Sequence, residues 1–281
     1  MMVLPSEKRS SRQKEEKSMK KIALILAVMM AALCLLCTAS AEEMDALAEI
    51  KAKGKLVVAC EGTYSPWNYE DENGVLMGYD VEVAQAIAAK LGVEFEPQTD
   101  LWDGLFAGLD SGRFDLVIAS VEITEERALK YDFSTPYAYT STVVITKDDN
   151  DTITSLADLA GKTTCNTATS VYAKLAEDNG ATVLNVDDLA QTIELVLTGR
   201  CDATLNADTV YYDYLRAHPD AALKIAATSD DVAQIVVPVP KGEKYATLLE
   251  AINQALAELA EDGTLTELSI KYFGGDLTVA K

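Results

Sequence analysis

The sequence predicts an α/β fold laid down twice, two parallel sheets each flanked by helices. Three observations predict it. Short apolar runs alternate with amphipathic helical stretches from Leu56 to Phe273. One run, Leu116-Val117-Ile118-Ala119, is continuously apolar, as a parallel strand buried on both faces requires. The chain of 281 residues suits one or two domains.

The elements follow in order. Met44 to Ala52 reads as a short amphipathic helix ending at Gly54, and Leu56 to Cys60 as the first strand. A polar and aromatic loop, Glu61 to Tyr69, leaves that strand, and Asp71-Glu72-Asn73-Gly74 is a tight turn. Asp80 is expected to cap a helix that runs to Leu91 and stops at Gly92. Val93 to Pro97 is the second strand. Trp102, Leu105, Phe106 and Leu109 make one apolar helical face that Gly112 ends. After the strand Leu116 to Ala119, Thr124 reads as a cap with Arg127 close by. Ala138 to Lys147 is extended and rich in β-branched residues. Strands at Thr163 to Asn166, at Thr182 to Val186 and up to Asn206 then alternate with helices at Tyr172 to Asn179, Leu189 to Leu197 and Tyr211 to His218. Val232 to Pro240 is extended, and helices at Tyr245 to Glu261 and Leu265 to Phe273 close the chain.

A net charge of −21 argues against nucleic acid as partner, since phosphate recognition needs a basic patch. It fits a soluble, self-repelling extracellular protein. Met19 to Ala41 has the form of a secretory signal peptide: Lys20-Lys21, an apolar stretch from Ile22 to Leu36, and Ala39-Ser40-Ala41 as the cleavage site. The expectation is an exported, periplasmic chain starting near Glu42. The alternative is a lipid anchor on the outer face of the cytoplasmic membrane, although Leu33 and Leu36, not small residues, precede Cys34 and Cys37. Met1 to Ser18 reads as a mis-assigned start or a long basic leader. Beyond the signal, Cys60, Cys165 and Cys201 read as buried free thiols, with a Cys165–Cys201 disulfide as the other reading. One histidine, His218, builds neither a zinc cluster nor a Ser-His-Asp triad, and no cofactor is expected.

Several words in the chain are more specific. They are Trp102-Asp103-Gly104-Leu105, Leu109-Asp110-Ser111-Gly112-Arg113-Phe114-Asp115, Ile123-Thr124-Glu125-Glu126-Arg127 and Tyr131-Asp132-Phe133-Ser134-Thr135-Pro136-Tyr137. In this order and spacing they resemble the polar amino-acid family of bacterial extracellular solute-binding proteins, the capture subunits of ABC importers. The resemblance runs from about Lys55 to Gly275. It implies a two-lobe periplasmic-binding-protein type II fold with two crossover strands as hinge. Lobe one would comprise 42–141 and 236–281, and lobe two 142–235, after a leader at 1–41. The implied partners are a free amino acid and the permease and ATPase subunits, with the chain itself a monomer. Glu61-Gly62-Thr63-Tyr64, Tyr131 to Tyr137 and the ending Asp262 to Phe273 look most similar to the cystine-binding branch.

The implied ligand site lies in the interlobe cleft. Arg127, hydroxyls including Ser120, and the backbone at Ala168-Thr169 would hold a carboxylate. Tyr64 and Trp67 would offer flat faces, with Trp102 beside them. Glu61, Asn206 and Asp208 complete the expected set together with Glu122. Two positions depart from the family. Glu122 stands where a small or hydroxyl residue is usual, and Ala207 where an aspartate usually holds the ligand ammonium. One reading is compensation, with Glu122 supplying the missing charge; the other has Glu122 facing solvent or pairing with Arg127. Two rival functions remain beside import: a dehydratase of small cyclic acids, resembling cyclohexadienyl dehydratase, with Glu122 as general acid, and a ligand sensor module.

Overall fold

The computed structural model describes residues 44–280. The signal-peptide, lipid-anchor and start readings therefore lie outside the described residues.

The first lobe forms around α1 (Ala46–Lys53) and β1 (Lys55–Cys60). Asp45 caps α1 by accepting from Ala48 N–H at 2.7 Å, and Gly54, at φ 72°, closes it in the left-handed conformation that glycine adopts without strain. A small antiparallel ribbon follows, from β2 (Thr63–Tyr64), β3 (Asn68–Glu70) and β4 (Leu76–Met77). Then come α2 (Tyr79–Leu91), β5 (Glu94–Thr99), α3 (Trp102–Asp110) and β6 (Leu116–Val117). The sheet order is β5-β1-β6, all parallel. The apolar run 116–119 is wholly buried, as its composition demands, although only its first two residues sit in the ladder. Ile118 N–H still reaches Ala59 O at 3.0 Å. Helix α4 (Glu125–Lys130) and β7 (Tyr131–Phe133) complete this stretch.

One expectation here is corrected. Asp80 does not cap α2; Gly78 does, at φ 129°, and Asp80 is fully buried inside the first turn. Only glycine fits at the cap, since a Cβ there would lie 2.2 Å from the Trp67 carbonyl oxygen.

The second lobe holds β9 (Thr163–Asn166), α5 (Val171–Asp178), β10 (Thr182–Asn185), α6 (Leu189–Leu197), β11 (Thr204–Ala207) and α7 (Asp208–Ala217). Strands β9 and β10 pair in parallel. Strand β11, however, joins β8 (Ala138–Lys147) and β12 (Leu223–Ile235) in an antiparallel sheet of order β11-β8-β12. The expectation of a purely parallel second sheet thus fails, because the chain enters along β8 and returns beside it along β12. The return strand starts at Leu223, earlier than the expected Val232, and two register shifts bend it. β13 (Pro238–Pro240), α8 (Glu243–Glu261) and α9 (Thr264–Phe273) then rejoin the first core.

Apolar burial among the described residues gathers in four cores, the first of which reaches into the second lobe through Ala207 and Val210. One core packs α1, α2, α8 and α9 on β1, and a second gathers Trp102, Leu105 and Leu109 beneath β6. Two more lie against β8, one containing Cys165 and Cys201, the other Leu159 and Leu205. Cys60, Cys165 and Cys201 are all buried free thiols. Among the described residues no helix is long and apolar enough to cross a membrane.

Candidate ligand-binding cleft

The carboxyl ends of β1, β6, β9 and β11 converge on one cavity, where ligands of open α/β sheets are found. Its volume is about 50 Å³. From the first lobe it is lined by Glu61 and Tyr64 after β1, Trp102 opening α3, and Ala119, Ser120, Glu122 and Arg127 after β6. The second lobe contributes Asn166, Thr167, Ser170, Val171 and Tyr172 around the start of α5, Leu189 and Thr192 on α6, and Asn206 on β11. An open groove of about 1080 Å³ adjoins it and shares Glu122, Arg127, Ser170, Val171 and Tyr172.

Arg127 is placed by its own helix. Thr124 caps α4, as its sequence position suggests, accepting from Arg127 N–H at 3.1 Å. The guanidinium centre then lies 5.2 Å from the Trp102 ring and 5.1 Å from the Phe106 ring. One terminal nitrogen donates to Glu122 O at 2.9 Å, and the other reaches Thr169 O at 3.5 Å. Burial pushes its pKa down, opposed by the Glu122 charge. A guanidinium has five N–H donors, so capacity is left for an anion.

The cavity holds polar atoms that the protein does not satisfy. Trp102 Nε1, Ser120 Oγ and Glu122 Oε1 are buried without a hydrogen-bond partner. Such atoms are costly, and each needs an explanation. Ser120 is further marked by φ 50°, the left-handed region that serine seldom adopts. Glu122 is raised to about 7 by burial, against the lowering effects of the Tyr172 phenol and the Arg127 charge. Glu61 is also raised to about 7, by burial and then by Asp80, Asp188 and Asp103.

The cleft is drawn together by hydrogen bonds between the lobes. Tyr64 O–H donates to Asn206 Oδ1 at 2.5 Å, Ser65 O–H to Asp213 at 2.7 Å, and Trp67 Nε1 to Thr209 Oγ1 at 3.1 Å. Thr169 O–H donates to Asp103 at 2.5 Å. The Tyr172 phenol, on α5, faces Tyr64 and Glu122 of the first lobe inside the cavity, and burial together with these neighbours holds its pKa well above the ordinary value.

Seven expected site residues therefore meet in the cavity: Glu61, Tyr64, Trp102, Ser120, Glu122, Arg127 and Asn206. The others do not line it. Trp67 is corrected outright: it is fully buried, packed on Tyr79 and Phe273 with ring centroids at 5.6 and 4.7 Å. The bracketing of Pro66 that suggested a loop aromatic instead turns the indole into the core. Ala168 and Thr169 are exposed, and Thr169 borders the outer groove. The Asp208 carboxylate accepts from Thr209 N–H at 2.8 Å in the first turn of α7. Tyr172 and Asn166 were missed. Tyr172 carried no signal beyond opening an amphipathic helix, and its neighbours Tyr64 and Glu122 lie in the other lobe.

Comparison with known proteins identifies the family. The family described as bacterial extracellular solute-binding proteins, family 3, matches residues 56–275. A probable amino-acid ABC transporter-binding protein of Haemophilus influenzae is 41% identical over 223 residues, 79% of this chain and 86% of the relative. The L-cystine-binding protein TcyA of Bacillus subtilis is 40% identical over 240 residues, 85% of this chain and 88% of the relative. The crystal structure of the L-cystine solute receptor of Neisseria gonorrhoeae, in an unliganded open conformation, is 39% identical with a TM-score of 0.58. That match covers 84% of this chain and 99% of the receptor.

Proposed function

Since the chain belongs to the bacterial extracellular solute-binding proteins of family 3, we propose that it is the capture subunit of an amino-acid ABC importer, with cystine as the favoured ligand. The observation that carries this reading is Arg127, a half-buried guanidinium that lines one cavity with the unpartnered Ser120 Oγ and Trp102 Nε1. Together these are donors arranged for one carboxylate. Glu122, with an unpartnered buried oxygen in the same cavity, takes the ammonium that Ala207 cannot. The two charged ends of a zwitterion thus meet two side chains of the first lobe.

Cystine is supported by the B. subtilis and N. gonorrhoeae relatives, whose names carry that ligand. A cavity of about 50 Å³ has room for roughly four waters at about 10–15 Å³ each, close to one amino-acid head group. A two-headed ligand extends from there past Tyr172 into the adjoining groove. We place the lobe boundaries at 141/142 and 235/236, with β8 and β12 as the hinge. The mature chain acts outside the cytoplasmic membrane as a monomer and presents its closed form to the permease and ATPase subunits.

The test is thermal unfolding of the 42–281 chain against an amino-acid panel that includes cystine. A ligand at about 100 times its dissociation constant stabilises by roughly 2.7 kcal/mol. A shift with cystine supports the reading and its branch. A shift with arginine or lysine instead keeps the import role and replaces cystine. No shift with any amino acid overturns the reading. It would favour a dehydratase, for which one observation speaks: a carboxyl near 7 in the cavity, at Glu122, is suited to general acid catalysis. Product formation from a small cyclic acid would establish that alternative.

A further inference from the structure

Behind the cavity wall lies a carboxylate that faces no ligand. Asp80 is 0% exposed. One of its oxygens accepts from Asn68 Nδ2 at 2.9 Å and the other from Tyr137 O–H at 2.7 Å. The backbone amide of Ser120 faces it and favours its charged form. Asn68, likewise 0% exposed, passes the contact onward, for its Oδ1 accepts from Glu61 N–H at 2.9 Å and from Gly62 N–H at 3.0 Å.

These contacts form a hub with three arms. One arm ends on the backbone of the Glu61–Gly62 segment after β1. A second ends on Ser120, after β6. The third ends on Tyr137, immediately before β8, whose backbone N–H donates to Ile235 O at 2.9 Å at the end of β12. The two strand ends that supply Glu61, Ser120 and Glu122 to the cavity share no ladder bond beyond Ala59 and Ile118. Past that point Asp80 is the group that ties them. It also explains Ser120: a serine at φ 50° persists only where its surroundings over-determine it.

Burying a carboxylate among neutral donors is unfavourable, and burial raises Asp80 to about 6. An apolar residue would serve a purely packing role at lower cost. Two of the three arms end instead on backbone of the candidate site.

We propose that Asp80 is a positioning residue of the cleft, holding the Glu61–Gly62 and Ser120 segments in fixed geometry with one another and with the hinge strand. The proposal rests on the reading of the cavity as the ligand site. Its role is to present the charged and hydroxyl groups already aimed, so that a ligand meets them without reorganisation.

The test is Asp80→Asn, which keeps the size but sets an amide donor against other donors. Calorimetric affinity for the amino acid identified by the unfolding panel is read beside backbone amide exchange of Glu61, Gly62 and Ser120 by NMR. The expected result is an affinity loss of about tenfold or more, with exchange faster at all three amides together. A purely structural role would lower the melting temperature and leave the affinity of the folded variant within about twofold. That result, or unchanged exchange at the three amides, overturns the proposal. Should Asp80→Asn fail to fold, Asn68→Ala separates the arms: exchange rises at Glu61 and Gly62 but not at Ser120, and a flat response at all three overturns the proposal. If the wild-type chain binds no amino acid, the reading of the cavity falls. The joint exchange response to Asp80→Asn then decides the positioning role on its own.

Discussion

The two walls of the cleft are built from the same kind of element, a strand end running into a helix, yet they do different work. The first-lobe wall is charged and under-satisfied. It carries Arg127, Glu122 and Glu61, the orphan donors of Ser120 and Trp102, and a residue at positive φ. The second-lobe wall is neutral: Asn166, Thr167, Ser170, Tyr172 and Asn206. Its hydrogen bonds are largely already spoken for. Asn206 accepts from Tyr64, Asn166 Nδ2 donates to Leu205 O at 2.8 Å, and Ser170 caps α5 by accepting from Ala173 N–H at 3.1 Å. The contrast assigns charge recognition to one lobe and enclosure to the other. A ligand engages the first lobe with its ionic groups, and the second lobe shuts out water, which strengthens those contacts in a lower dielectric.

Substitutions on the two walls should differ accordingly. Arg127→Met is expected to have the largest effect, a loss of affinity of about 100-fold or more, since it leaves the ligand carboxylate buried without its partner. Titration calorimetry reads it, and a loss below about fivefold would remove charge recognition from this wall. Glu122→Gln is expected next, at about tenfold near pH 7.5. It also carries a pH signature. The Glu122 carboxyl sits near 7 in the folded chain against an ordinary value of 4.5, so the folded state holds the extra proton between those limits. Its contribution to the stability of the unliganded fold therefore falls as pH rises from about 4.5 to 7. A ligand ammonium favours the ionised form, so binding releases a proton in the same window and affinity rises with pH. Glu122→Gln should flatten both slopes; unchanged slopes would assign them to Glu61.

Tyr64→Phe removes the bond to Asn206 on the second wall and should weaken binding by about five- to tenfold, near 1 kcal/mol. An effect as large as that of Arg127→Met would erase the division between the walls. Trp67→Phe comes last. With the indole packed away from the ligand but bonded to Thr209 across the cleft, affinity should fall by no more than about fivefold, near 1 kcal/mol, and equally for every ligand. A drop in affinity beyond tenfold would restore Trp67 to the ligand.

Most of the frame was legible in the sequence because it rests on local signals. The period of the apolar residues located α3, α6 and α8. Thr124 announced its cap, and Gly54 and Gly92 their helix ends. What escaped depends on partners far along the chain. Asp80 stands before an apolar helical pattern, as a capping aspartate does; its burial follows from Asn68 and Tyr137, the latter 57 positions away. Trp67 followed the same course, since nothing local reveals that Tyr79 and Phe273 wait for it. Tyr172 needed both lobes, because it shares the cavity with Tyr64 and Glu122 only once the two lobes face each other. The antiparallel second sheet was hidden because the direction of a strand is a property of the path, not of composition.

The bonds that join the lobes outside the cavity, Ser65 to Asp213, Trp67 to Thr209 and Thr169 to Asp103, are made wholly between protein groups. They favour the shut form by the same amount whichever molecule lies inside. Apparent affinity scales with the fraction of chains in the binding-competent form, so these three contacts act as a volume control, multiplying the affinity of all ligands alike, while the cavity residues set the tuning between them. Altered rim residues would make the receptor deafer or more acute without changing its preference, and the two properties can drift independently.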